Sequence, residues 1–141
     1  MTPTSSTPTA PEFERDPLVR GTLRAEALAA FVAGISLYFS AGGGWILVLP
    51  ALLAPDISVV GYLAGPRVGA VVYNLVHDWA LGIALLLLGW WMPSPLLVMA
   101  GGILVAHVGM DRFAGYGLKY PTSFNDTHLG RIGKRRVPGT Q

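Results

Sequence analysis

The chain has 141 residues, of which 52% are hydrophobic and only 13% charged, with mean hydropathy +0.50. That is about half the charge of an ordinary soluble domain, so composition points to a membrane and leaves room for one domain at most. The absence of cysteine excludes disulfides, thiolate metal sites and a thiol nucleophile, and a net charge of +2 without interleaved basic and aromatic residues argues against nucleic acid as a partner.

Residues 1–17 are rich in proline, threonine and serine and bury too little apolar surface to offset their ordering entropy, so residues 1–22 are expected to form a disordered tail. They lack the basic start and immediate apolar run of a secretory signal; a late cleavage after Ala41 is disfavoured by Glu26 inside the apolar region. The first predicted span covers residues 23–40, with Arg24 and Glu26 near its start. Gly42, Gly43 and Gly44 turn the chain, and Trp45 opens a second span that ends near Ala64. Pro50 and the pair Pro55, Asp56 predict a broken second helix whose freed backbone groups are satisfied inside the bundle. A segment that dips in and returns, giving three spans, is the alternative.

Gly65, Pro66 and Arg67 form the next turn. The third span is predicted over residues 68–91 as one helix carrying Asn74, His77 and Asp78, with Asn74 one turn from Asp78 as its bonding partner. A tight Met92-Pro93-Ser94-Pro95 turn leads to the fourth span, residues 96–113, in which His107 and Asp111 share one helical face. The predicted fold is therefore an all-α, polytopic membrane protein with four transmembrane helices in a compact bundle. Gly34, Gly82, Gly101 and Gly102 are suited to close helix approach, within the chain or in a homo-oligomer.

Residues 114–133 read as an interfacial segment. Lys119 is suited to acidic headgroups, and Thr127 and His128 are candidates to fold back as a lid, with Asn125 or Asp126 capping a last helical turn. Residues 134–141 are expected to be a disordered basic tail. The ten lysines and arginines all fall before or at the start of the first span, between the second and third, or at and beyond the end of the fourth, which predicts both termini in the cytoplasm.

Five ionisable residues then lie in one half of the bilayer. Asp56, His77 and His107 are six to nine residues from the cytoplasmic ends of their helices, roughly 9 to 14 Å deep at 1.5 Å per residue. Glu26 and Asp111 are shallower. Two histidines with carboxylates are the ligand types that zinc, manganese or iron take when thiolate is absent, so Asp56, His77, His107 and Asp111 are candidate ligands and Glu26 a candidate base for water. The shallow position of Asp111 suits it to receive the second N–H of His107.

The stretch AHVGMDRFAGYGLKYPTSFNDTHLGRIG, together with LAPDISVVGYLAGPRVGAVVYNLVH, resembles an uncharacterised family of bacterial integral membrane proteins, domain of unknown function 4260, over roughly residues 23–133. The resemblance implies a bacterial inner (cytoplasmic) membrane location and no established activity. The sparse order Asp56, His77, then His107 and Asp111 also resembles bacterial membrane proteins described as metal-dependent hydrolases; for a site embedded in the membrane, the first functional reading is therefore a metal-dependent hydrolase acting on a lipid or lipid-linked substrate. The competing readings are a small transport or proton-relay component, which lacks ionisable groups in the outer halves of its third and fourth helices, and a non-catalytic membrane scaffold.

Overall fold

A computed structural model describes residues 17–132; the expected terminal tails lie largely outside them. The elements are α1 (Pro17–Ser40), α2 (Trp45–Leu53), a 3₁₀ helix (Ala54–Ala64), α3 (Pro66–Val76), α4 (Trp79–Trp91), α5 (Pro95–Ala114) and a minimal hairpin of β1 (Asp126–Thr127) and β2 (Gly130–Arg131). Among the described residues four spans are long and apolar enough to cross a membrane: Pro17–Ser40, Trp45–Ala64, Pro66–Trp91 and Pro95–Ala114. This is the all-α, multi-pass membrane bundle expected from composition. Its first helix starts at Pro17, six residues before the expected span.

α5 is the central helix. It packs along α1 on one side and α4 on the other, while the 3₁₀ helix lies chiefly against α3. Small residues set these distances: a Cβ on Gly102 would stand 2.8 Å from the Gly34 carbonyl oxygen, and one on Gly101 would stand 2.8 Å from that of Gly82. Only residues without a side chain let backbones approach so closely. Most large apolar side chains point outward, and Trp45, Trp90 and Trp91 stand exposed at the end of the bundle where α2 begins and α4 ends. That belt is where indole rings meet a membrane interface.

The second span breaks where Pro55 predicts. α2 carries Pro50 internally, and from Ala54 the chain tightens into an eleven-residue 3₁₀ helix. Runs of this length are uncommon and often mark function. The third span differs from the expected continuous helix. α3 stops at Val76, His77 leaves helical geometry, and Asp78 becomes the N-cap of α4 by accepting the Leu81 N–H at 3.1 Å. Two interactions favour the break: an aspartate side chain satisfies an orphan N–H better as a cap than in mid-helix, and Arg112 Nη2 donates to the His77 carbonyl at 2.9 Å. Asp78 is thus engaged by Leu81, and Asn74 turns elsewhere.

Beyond α5, Gly115 takes a left-handed conformation at φ 94° and the chain folds back over the end of the bundle. Asn74 holds it there, donating to the Lys119 carbonyl at 2.9 Å and accepting from the Lys119 N–H at 2.7 Å. Tyr62 and Phe124 add an edge-to-face contact. The expected last helical turn is absent; Asp126 and Thr127 instead pair antiparallel with Arg131 and Gly130.

Candidate metal centre

His107 is fully buried on α5, and His77 is fully buried at the kink between α3 and α4. Their Nε2 atoms are 3.0 Å apart. Asp56 Oδ1, from the first turn of the 3₁₀ helix, lies 3.6 Å from each Nε2. Asp111 Oδ2 lies 3.8 Å from His77 Nε2 and 3.9 Å from His107 Nε2. The structure therefore brings four sequence-predicted residues, from three different spans, to one point.

The outer face of each imidazole determines what the inner face presents. His77 Nδ1 lies 2.9 Å from the Tyr73 carbonyl, and His107 Nδ1 lies 2.7 Å from the Leu52 carbonyl. A carbonyl oxygen only accepts, so both Nδ1 atoms carry hydrogen and, in neutral rings, both Nε2 atoms present lone pairs. Two lone pairs at 3.0 Å, flanked by two carboxylates, repel unless a cation or a proton lies among them.

The Leu52 carbonyl is available because of Pro55. In a 3₁₀ turn that oxygen would look for the N–H of residue 55, and proline has none. The helix break thus supplies both Asp56 and the carbonyl that orients His107. This backbone partner corrects the expectation that Asp111 would receive the second N–H of His107. Asp111 instead faces the Nε2 side and accepts a 3.1 Å hydrogen bond from Tyr73 Oη. The Tyr73 ring stacks on His77 at 3.6 Å between centroids and 14° between planes.

Glu26 does not join this group. It is exposed on α1 and forms no hydrogen bond or ion pair among the described residues. Ala27, Gly34 and Tyr38 form the buried stripe of α1, and Glu26 is about 100° round the helix from Ala27. His128 also stays away from the cluster, exposed, with its Nδ1 accepting the Leu118 N–H at 2.8 Å. Its imidazole is held below the usual histidine range first by desolvation and then by the Arg112 charge.

Sequence reasoning missed Tyr73 and the burial of Lys119. Tyr73 stands one turn before His77, a spacing that brings side chains on a helix together and could have flagged it. Lys119, read as a headgroup contact, is 4% exposed. With Asp56, Val59, Tyr73, Met110, Asp111, Tyr116, Phe124 and Ile132 it lines a half-open cavity of about 570 Å³ that reaches the carboxylates of the cluster. Burial lowers the Lys119 ammonium from its usual range, against the opposing pull of Asp111.

Asp56, His77 and His107 each offer one ligand atom, and these atoms all lie within 4.8 Å of one another, so the group could hold a metal ion. Ligands about 2.1 Å from one ion at tetrahedral or octahedral angles lie roughly 3.0 to 3.4 Å apart, and the imidazole pair meets that separation. Residues 20–132 match the domain of unknown function DUF4260, and the chain belongs to that family. No curated protein and no solved structure matches it.

Proposed function

From within a family that carries no assigned activity, we propose that the chain is a membrane-embedded metal-dependent hydrolase of a lipid or lipid-linked substrate. Asp56, His77 and His107 would hold zinc, manganese or iron. The observation that carries this reading is the paired anchoring of both Nδ1 atoms by carbonyls, which aims two bare Nε2 atoms and the Asp56 carboxylate at one point. A simple buried histidine pair would be expected to orient one ring as donor to the other.

A divalent ion held by Asp56, His77 and His107 would supply Lewis acidity and would lower the pKa of a water toward neutrality. The protein's own contribution is positional. Tyr73 holds Asp111 beside the cluster, on the wall of the cavity, where its carboxylate can take a proton from the attacking water and return it to the leaving group. Asp111 replaces Glu26 in that role. The charge distribution supports a mouth on the cytoplasmic face of a bacterial inner membrane, since along the sequence the ten lysines and arginines cluster around the start of the first span, the turn between the second and third, and the end of the fourth, and the two opposite turns carry none.

The 3.0 Å Nε2 separation also suits a shared proton, and a proton-storing pair is the second reading. Metal analysis separates the two. Protein purified in mild detergent without chelator is expected to contain one divalent ion per chain, lost in His77→Ala and His107→Ala. Absence of metal after loading with zinc, manganese or iron would refute the hydrolase reading and favour the proton pair.

A further inference from the structure

The cavity beside the cluster contains a cation that no group among the described residues neutralises by direct contact. Lys119 is 96% buried by its 4% exposure, yet among the described residues no carboxylate, carbonyl or hydroxyl accepts a hydrogen bond from its ammonium. It is held against two ring faces, 4.1 Å from the Phe124 centroid and 5.1 Å from the Tyr73 centroid. Ring faces attract a cation but leave its three donors unused as hydrogen bonds. A buried ammonium normally has an anionic or carbonyl partner.

The remaining walls suit a molecule with an apolar part. Val59, Met110, Phe124 and Ile132 face the same space, and about 570 Å³ lies within the roughly 300 to 1,000 Å³ of small-molecule sites. Asp56 and Asp111 would repel an anion on their own. A divalent ion at the cluster cancels their two charges and leaves Lys119 unopposed, so this inference rests on the metal reading.

We propose that the cavity binds a phosphate ester, with one phosphate oxygen turned toward the cluster, another paired with Lys119, and the apolar portion of the ester lying on Val59, Met110, Phe124 and Ile132. A phosphate monoester suits this arrangement because its several oxygens let an ion and an ammonium engage it together. A membrane phospholipid and a water-soluble phosphate ester share this chemistry.

The test uses full-length protein in detergent whose metal content has first been measured. Binding of dihexanoyl phosphatidic acid, glycerol phosphate and dihexanoylglycerol is followed by calorimetry. Phosphatidic acid, glycerol phosphate or both should bind, and Lys119→Met should weaken that binding at least tenfold while Lys119→Arg restores most of it. Binding of phosphatidic acid alone identifies a lipid source; binding of glycerol phosphate alone identifies a soluble one. Because Asn74 grips only the backbone of residue 119, Lys119→Met keeps that anchor, and circular dichroism with unchanged metal content checks the fold. Metal-loaded protein that binds neither phosphate ester, or binds them equally in Lys119→Met, overturns the proposal and leaves the metal centre standing. Equally tight binding of dihexanoylglycerol also overturns it. Protein without metal overturns both.

Discussion

Asn74 and Lys119, forty-five residues apart, exchange two hydrogen bonds of 2.9 and 2.7 Å between one amide side chain and one backbone unit. This clamp ties the segment after α5 to the last turn of α3, three residues before His77. It fixes the roof of the cavity through the backbone and leaves the Lys119 side chain free to face inward. Asn74→Ala removes both bonds, at about 1 kcal/mol each. Protease cleavage within residues 115–132 is expected to accelerate, with the four spans intact; unchanged cleavage would mean that the aromatic contacts alone hold the roof.

The proposed metal centre assigns Asp56 as a ligand and Asp111 as a supporting carboxylate. His107→Ala should lose the metal altogether, whereas Asp111→Asn should keep the fold and bind metal about 10 to 100-fold more weakly. Competitive chelator titration measures both. Complete loss in both variants would make Asp111 a ligand, and unchanged affinity in both would leave the cluster a packing feature.

Tyr73→Phe separates two functions of one side chain. The ring remains stacked on His77, but the hydrogen bond to Asp111 Oδ2 is lost. Metal affinity should fall roughly tenfold with little change in thermal stability. If the affinity is unaffected, the hydroxyl does not orient the carboxylate.

Packing in the bundle predicts opposite signs for two glycines. A Cβ on Gly34 meets the Gly102 carbonyl and stands 2.6 Å from the Ala106 backbone nitrogen, so Gly34→Ala should separate α1 from α5 and cost about 1 to 3 kcal/mol. Gly21, also in α1, has nothing within 4 Å of a Cβ, and Gly21→Ala should stabilise by roughly 0.5 to 1 kcal/mol. Thermal denaturation in one detergent compares them directly; equal shifts would contradict the close α1–α5 contact.

Acid should loosen the roof. His128 has a lowered pKa in the folded protein, because burial and Arg112 disfavour its charged form, and its Nδ1 must stay unprotonated to accept from Leu118. The folded state therefore binds fewer protons than the unfolded one. Its contribution is complete above the ordinary histidine pKa of about 6.5 and is lost as pH falls through the lower folded value. Hydrogen exchange at the Leu118 amide should rise across that window. His128→Asn keeps a side-chain acceptor without a titrating ring, and it should flatten the pH dependence; an unchanged profile would exclude His128 as its origin.

Composition and residue order by themselves determined the membrane class, the number of spans, the break at Pro55 and the four ionisable residues worth attention. Each follows from a local cost: charge in hydrocarbon, a missing proline N–H, or the length needed to cross a bilayer. The kink at His77 was not legible because it depends on Arg112, thirty-five residues away, satisfying a carbonyl at the end of α3. The neighbour preceding Ala27 missed the site for a related reason: Glu26 has the right chemistry and depth, but rotation about α1 is set by which face carries the glycine that meets α5. Depth can be counted along a helix, whereas azimuth, tautomer and the partner of a free carbonyl are settled only by what packs against it. The tertiary structure therefore decided that two imidazoles present their lone pairs to each other, and that a buried lysine without a hydrogen-bond acceptor among the described residues lines the space beside them.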